Sequence, residues 1–154
     1  MPVAPDLFDR LDARFDELDN QGPVTLVGWS LGGVVARQYA KYAPQRVAGV
    51  ITLGSPFSGD PRANRAWRLY ELVADHKVDA PPIPGILSEK PPVPTVAIWS
   101  PRDGIIPPDA ARGEAHERDA EMQINCGHFA MSCAPDALEA VLMALSQRLG
   151  QARP

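Results

Sequence analysis

Short apolar segments alternate with helix-like segments along this chain, and this alternation sets narrow limits on the fold. Strand-like segments lie at 24–27 (VTLV), 47–53 (VAGVITL), 95–99 (TVAIW) and, more weakly, 121–125 (EMQIN). The first three are largely apolar on both faces, which is typical of strands inside a parallel sheet. Helical periodicity is found beside them, at 6–19, 31–43, 62–76 and 136–149. The pattern predicts an α/β fold, with a parallel sheet of about four strands flanked by helices.

Apolar residues at helical spacing indicate which helix faces we expect to be buried. In segment 6–19 they are Leu7, Phe8, Leu11, Phe15 and Leu18. In segment 136–149 they are Leu138, Val141, Leu142, Leu145 and Leu149, and Gly150 is expected to end that helix. The charged run 112–121, which includes His116, is expected to be a solvated helix.

Charge and composition argue against several classes of partner. The chain has 19 acidic and 15 basic residues and no basic run, which argues against nucleic acid as a partner. No apolar stretch approaches the ~20 residues that span a bilayer, so no transmembrane segment is predicted. The histidines match no metal-ligand pattern, so no metal is expected. No signal peptide is visible, and the localisation is unknown, with the cytoplasm as the default.

Residues 28–32 read Gly-Trp-Ser-Leu-Gly, which matches G-x-S-x-G at the junction of a predicted strand and helix. A serine nucleophile there projects from a sharp, strained turn. The turn brings neighbouring backbone close, so the positions two before and two after the serine require small residues, and Gly28 and Gly32 occupy them. The N-terminal N–H groups of the helix stabilise the negative charge that develops during acyl transfer. The pattern predicts Ser30 as a nucleophile. A glycine-rich turn whose serine only caps the helix is the alternative.

An acid and a histidine follow Ser30, each shortly after a predicted strand. Asp103 comes after the third strand and His128 after the fourth. The order Ser, Asp, His at the carboxyl ends of parallel strands predicts a triad, in which His128 takes the proton of Ser30 and Asp103 orients the imidazole. Taken singly, Asp103 could be a turn former before glycine and His128 an exposed loop residue.

The segments VTLVGWSLGG, ITLGSPFSG, PVPTVAIWSPRDGIIP and CGHFAM together resemble the α/β-hydrolase superfamily. More narrowly, the chain is similar to a bacterial lipase- or esterase-like serine hydrolase. The resemblance extends over essentially the whole chain and implies that Ser30, Asp103 and His128 form the catalytic triad. It also implies that the backbone N–H of Leu31 is one oxyanion donor and that no cofactor is required.

The same resemblance implies a cap or loop insertion at 56–92. Trp67 and Tyr70 in that insertion, together with Trp29, are candidates for binding substrate. Core packing of an aromatic stripe is the alternative for Trp67 and Tyr70.

The chain departs from the family pattern at its N-terminal end. A complete member is a domain of about 250 residues, whereas only 23 residues precede Val24. We therefore expect residues 1–154 to be a single, N-terminally truncated domain that lacks the loop carrying the second oxyanion N–H. The strand at 24–28 would then lie at a sheet edge. Because an uncovered apolar edge pairs readily with other chains, self-association through 24–28 is predicted.

The leading hypothesis is a serine hydrolase that cleaves carboxylic esters of small molecules or lipids through an acyl-enzyme on Ser30. An acyltransferase or thioesterase on the same fold remains open, because a triad fixes neither the acceptor nor the leaving group. The expected truncation also leaves open a catalytically impaired fragment, or a non-catalytic piece that binds a partner.

Overall fold

The computed structural model describes residues 6–18, 22–59 and 85–151, which form helices packed around a sheet. The elements, in chain order, are α1 (Leu7–Glu17), β1 (Val24–Trp29), α2 (Leu31–Tyr42), β2 (Val47–Leu53), β3 (Thr95–Trp99), α3 (Pro108–Arg112), β4 (Ala120–Gln123) and α4 (Pro135–Gln151). The four strands of these residues pair in parallel, in the order β1-β2-β3-β4. The predicted α/β class and parallel sheet are confirmed.

The register brings the carboxyl ends of all four strands to one edge of the sheet. Trp29 lies opposite Leu53, Leu53 opposite Ile98, and Ile98 opposite Met122. The loops that follow these strands therefore begin side by side, as expected for a parallel sheet. Of the described strands, β1 lies at one end of the order, and Val27 on it is 48% exposed. Self-association through 24–28 stays a prediction.

Side chains that alternate along the strands build a core on each face of the sheet. Val50 packs with Tyr39 and Ala40 of α2 on one face. Ile51 and Leu53 pack with residues of α4 on the other face, as the two-residue period of a strand requires. The helix α1 joins the first core because Phe8, Leu11 and Phe15 pack there, which agrees with the predicted apolar face.

Tyr39 of α2 contacts α1 through its ring and through its hydroxyl group. Its ring stacks on Phe15 with centroids 5.0 Å apart, and its hydroxyl donates a hydrogen bond of 2.7 Å to Asp12 Oδ1. The ring is fully buried. Burial first, and then the Asp12 carboxylate, raises the pKa of Tyr39 well above its usual value of 10.0. The phenol therefore stays neutral in the folded protein at ordinary pH.

Arg37 of α2 is a buried cation that holds two loops. Its Nη2 donates to the carbonyl oxygens of Ser88 and Glu89, both at 3.3 Å, and of Glu117 at 3.0 Å. The guanidinium lies 3.9 Å above the Phe57 ring. Burial lowers the pKa of Arg37 to about 10, and the nearby Glu117 carboxylate opposes that shift. Arg37 therefore ties residues 88–89 and the turn Ala115–Glu117 to α2.

The buried face of α4 agrees only in part with the predicted one. Val141 and Leu145 pack against the core as expected, but Leu138 and Leu142 are 53% and 66% exposed. Ala137, Ala140 and Ala144 face the sheet instead, because their small side chains let the helix lie close to the strands. The prediction that Gly150 ends this helix is also wrong, since α4 continues to Gln151.

Two other predicted segments can be compared with the structure. Residues 112–121 are not one helix: α3 ends at Arg112, Gly113 adopts φ +70°, and a short 3-10 turn, Ala115–Glu117, leads to β4. The described parts of 56–92 contain no helix or strand. The helix at 62–76 and the candidate binding residues Trp67 and Tyr70 lie outside the described residues. Within the described ranges, none of the helices has the length and apolar character that membrane crossing requires.

Candidate active site

Ser30 occupies the sharp turn between β1 and α2. Its backbone has φ 55° and ψ −126°, and it is the only non-glycine residue with positive φ among those described. This region is costly for a residue with a Cβ, so the surrounding structure must hold the turn in place. The backbone N–H of Ser30 donates to the carbonyl of Leu53 on β2 at 2.8 Å. The side chain is thereby presented at the edge of the sheet where the strands end.

Two glycines allow this turn, but they are not both the expected ones. A Cβ on Gly28 would lie 2.4 Å from backbone atoms of Gly33, and a Cβ on Gly33 would lie 2.0 Å from the Ser55 Oγ. By contrast, a Cβ on Gly32 would meet no described atom within 4 Å. The expectation of a small residue is therefore met at Gly28, whereas the second close approach falls on Gly33 and not on Gly32.

Asp103 lies in the loop after β3 and is 5% exposed. Its Oδ1 accepts hydrogen bonds from the backbone N–H groups of Ile105 at 3.0 Å and Ile106 at 2.6 Å. Its Oδ2 lies 2.9 Å from His128 Nδ1. The two backbone donors fix the carboxylate plane, so the second oxygen is aimed at the imidazole.

His128 connects Asp103 to Ser30. Its Nε2 lies 3.0 Å from the Ser30 Oγ, and only 3% of the residue is exposed. Since the carboxylate can only accept, the proton on Nδ1 faces Asp103, and Nε2 is left to accept from the Ser30 hydroxyl. The structure thus brings the three predicted residues, from three loops, into one buried hydrogen-bonded chain.

Further contacts hold the acid loop and the histidine loop together. The backbone N–H of His128 donates to the Asp103 carbonyl at 2.9 Å. The Ser100 hydroxyl donates to the Cys126 carbonyl at 2.7 Å and accepts from the Arg102 N–H at 3.1 Å. Burial, followed by nearby carboxylates, raises the pKa of the Cys126 thiol, which keeps it protonated. Cys126 therefore belongs to the loop framework and is not a competing thiolate.

Gly54, directly after β2, packs against this chain of side chains. It adopts φ +52°, and a Cβ there would lie 2.8 Å from Asp103 Oδ2 and 3.3 Å from His128 Nδ1. The sequence gives no direct signal for this role, because Gly54 is distant from both residues along the chain. The glycine after an apolar strand indicates only a turn.

Two aromatic side chains that are themselves partly exposed lie beside His128. The Trp29 ring centroid lies 5.3 Å from that of the imidazole, and the Phe129 centroid lies 5.7 Å from it. Trp29 is 36% exposed and Phe129 is 67% exposed. Trp29 is one of the predicted substrate-binding candidates, whereas Phe129 is not. Its position directly after His128 in the sequence would have indicated that it lies beside the site.

Leu31, the expected oxyanion donor, is the first residue of α2. A helix leaves its first N–H groups without intrahelical acceptors, so the Leu31 N–H points out of the helix end beside Ser30. In the described part of the chain, no group of three or more His, Cys, Asp or Glu residues could hold a metal ion.

The fold and sequence can be compared with known proteins. A family model described as the alpha/beta hydrolase fold matches residues 9–80, which contain Ser30 but neither Asp103 nor His128. The monoacylglycerol lipase of Paleococcus ferrophilus has a TM-score of 0.65 and 14% identity, over 99% of this chain and 77% of that one. An alpha/beta hydrolase enzyme from lagoon sediments of Mar Chica, Morocco, has a TM-score of 0.63 and 23% identity, over 97% of this chain and 74% of that one. The chain therefore has the alpha/beta hydrolase fold, which the family model over residues 9–80 and the solved hydrolase from Mar Chica both indicate.

Among curated proteins, this chain is similar to pimeloyl-[acyl-carrier protein] methyl ester esterase of Shewanella woodyi. The two are 36% identical over 66 residues, which are 43% of this chain and 25% of the esterase. The match thus spans a quarter of that relative's length.

Proposed function

We propose that this chain is a serine hydrolase that cleaves carboxylic esters through an acyl-enzyme on Ser30. The observation that carries the proposal is the chain of hydrogen bonds from Ser30 Oγ to His128 Nε2, at 3.0 Å, and from His128 Nδ1 to Asp103 Oδ2, at 2.9 Å. A serine, a base and an orienting acid within hydrogen-bond reach are the parts that acyl transfer requires. The positive φ of Ser30 supports the same proposal.

In acylation, the Ser30 Oγ attacks the ester carbonyl carbon while His128 Nε2 takes the hydroxyl proton. The imidazolium that forms is stabilised by the Asp103 carboxylate. The Leu31 N–H and the N-terminal end of α2 favour the negative charge on the carbonyl oxygen. When the carbon–alkoxy bond breaks, His128 returns the proton to the departing alkoxide, and an alcohol leaves.

In deacylation, a water molecule takes the place of the alcohol. His128 removes a proton from the water, and the hydroxide oxygen bonds to the acyl carbon. The bond from that carbon to the Ser30 oxygen then breaks, and His128 supplies its proton to the serine. The carboxylic acid is released and the starting state is restored.

The names of the relatives favour an ester as substrate. One is a methyl ester esterase and another is a monoacylglycerol lipase. The exposed rings of Trp29 and Phe129 lie beside the proposed base and offer apolar surface to an acyl chain or an alcohol group.

The test is the hydrolysis of p-nitrophenyl acetate and butyrate by the wild-type chain and by Ser30→Ala. Ser146→Ala is the matched control, because Ser146 is exposed on α4 and its hydroxyl donates only to the Met143 carbonyl, at 2.9 Å. We expect Ser30→Ala to lower kcat by at least about 10³-fold and Ser146→Ala to retain wild-type activity. Equal hydrolysis by wild type and Ser30→Ala, or none by the folded wild type, would refute the proposal.

A panel of acyl donors separates the proposal from transfer and thioester chemistry. The corresponding thioester and amide are offered beside the p-nitrophenyl ester, each with and without added alcohol. Faster turnover of the ester, with the acid as product in the presence of alcohol, supports an esterase. Preferential thioester cleavage, or capture of the acyl group by the alcohol, would point to a thioesterase or an acyltransferase.

A further inference from the structure

Trp29 makes a hydrogen bond that crosses the site. Its indole N–H donates to the backbone carbonyl of His128 at 3.0 Å, although the two residues are 99 positions apart. Trp29 ends β1, and Ser30 follows it directly. Two consecutive residues of one turn therefore contact His128. Trp29 contacts its backbone carbonyl, and Ser30 contacts its imidazole ring.

The indole also packs against the imidazole. The ring planes are inclined at 36° with centroids 5.3 Å apart, which restricts rotation of the His128 ring. The backbone of His128 is held on both sides, since its N–H donates to the Asp103 carbonyl at 2.9 Å and its carbonyl accepts from Trp29.

We propose that Trp29 is a positioning residue for His128. This inference rests on the proposed function, in which His128 is the base. The physical reason is that the two hydrogen bonds of the imidazole keep their length only if the backbone of residue 128 stays in place. Without the Trp29 N–H, the His128 carbonyl loses its hydrogen-bond donor. The imidazole then samples positions from which Nε2 does not reach the serine hydroxyl. Small misplacements of a reacting group lower the rate of a chemical step strongly.

A purely substrate-binding role for Trp29 makes a different prediction. A side chain that only contacts the acyl or alcohol group would change KM, and the change would grow with the length of that group. A residue that positions the base changes kcat and leaves KM nearly constant, because the bound substrate does not touch the hydrogen bond that is lost.

The test compares Trp29→Phe with Trp99→Phe. Trp99 also donates its indole N–H to an acceptor, Glu121 Oε2 at 3.1 Å, but that acceptor is outside the proposed triad. The two variants therefore lose the same type of bond. If the free energy of one hydrogen bond is lost from the transition state, kcat falls about three- to tenfold. We expect that decrease in kcat for Trp29→Phe at constant KM, and wild-type kcat for Trp99→Phe.

Nitrogen-15 NMR of histidine-labelled protein supplies a readout that does not depend on turnover. In the wild type we expect a single tautomer of His128, protonated on Nδ1 and accepting at Nε2. In Trp29→Phe we expect averaging between tautomers, with the far-UV circular dichroism unchanged. If Trp29→Phe fails to fold, replacement of Trp29 by the isosteric benzothienylalanine removes the N–H and keeps the ring shape, and the same change is expected.

The outcomes separate the two proposals. A Trp29→Phe variant with wild-type kcat and a single His128 tautomer would overturn the positioning role, as would a rise in KM at constant kcat. If the wild type hydrolyses no ester, the proposed function fails. The NMR comparison then still decides the role of Trp29, since tautomer averaging in the variant supports it and an unchanged spectrum refutes it.

Discussion

Substitution of Gly54 by alanine introduces a methyl group directly against the candidate active site. The new Cβ would lie 2.8 Å from Asp103 Oδ2, 2.8 Å from Met131 Sδ and 3.3 Å from His128 Nδ1. The Met131 side chain can adjust, but Asp103 is held by backbone hydrogen bonds from Ile105 and Ile106. Because Asp103 has little freedom to yield, the methyl group strains the contact between its carboxylate and His128 Nδ1.

Two costs add up in this variant. Alanine at φ +52° is in the left-handed region, which costs about 1–2 kcal/mol. Overpacking of a well-filled site costs about 1–3 kcal/mol. We expect the free energy of unfolding to fall by about 2–5 kcal/mol. A shift of the carboxylate by a few tenths of an ångström disturbs the His128 ring, so kcat/KM should fall by about tenfold.

Gly113→Ala is the matched control for Gly54→Ala. Gly113 has φ +70°, and a Cβ there would clash with the Phe57 ring at 2.4 Å, outside the proposed triad. Urea unfolding and ester hydrolysis are measured for both variants. We expect similar losses of stability but retained kcat/KM in Gly113→Ala. If Gly54→Ala keeps the kcat/KM of the control, Gly54 does not hold the Asp103–His128 pair in place.

Three other predictions concern single groups. Asp103→Asn should lower kcat for ester hydrolysis by about 10³–10⁴-fold, because the amide favours the wrong imidazole tautomer; a loss below tenfold would contradict this. Tyr39 has a folded pKa above its unfolded value of 10.0, so the stability it contributes is full below pH 10 and is lost as pH rises further. Tyr39→Phe should therefore flatten the alkaline fall in urea stability, and an unchanged slope would contradict this. Arg37→Ala should cost about 3 kcal/mol in urea unfolding, because it leaves the carbonyl oxygens of Ser88, Glu89 and Glu117 without their donor; a loss below 1 kcal/mol would contradict this.

The order of elements and the meeting of the site residues were predictable because both follow from short-range patterns. Apolar runs between turn residues identify β1, β2 and β3, and helical spacing identifies α1 and α2. In a parallel sheet, the loops after successive strands begin at one edge. A serine, an aspartate and a histidine in three such loops were therefore expected to meet.

The details that were missed depend on packing between distant segments. Which stripe of α4 is buried depends on how closely that helix approaches the strands, and Ala140 and Ala144 permit an approach that Leu142 would not. The close approach at Gly33, not Gly32, depends on where Ser55 lies after β2. The hydrogen bond from Trp29 to the His128 carbonyl likewise depends on the path of a loop. None of these distances is encoded in local periodicity.

Whether Ser30 is the nucleophile is tested by the reaction of the folded chain with a fluorophosphonate, followed by peptide mass spectrometry. We expect one phosphonyl adduct, on the peptide that contains Ser30, and its loss in Ser30→Ala. We also expect slower labelling in His128→Ala, because the base that Ser30 contacts at 3.0 Å is then gone. A folded wild type that carries no adduct on Ser30, or a Ser30→Ala variant labelled as fast as wild type, would show that Ser30 is not the nucleophile.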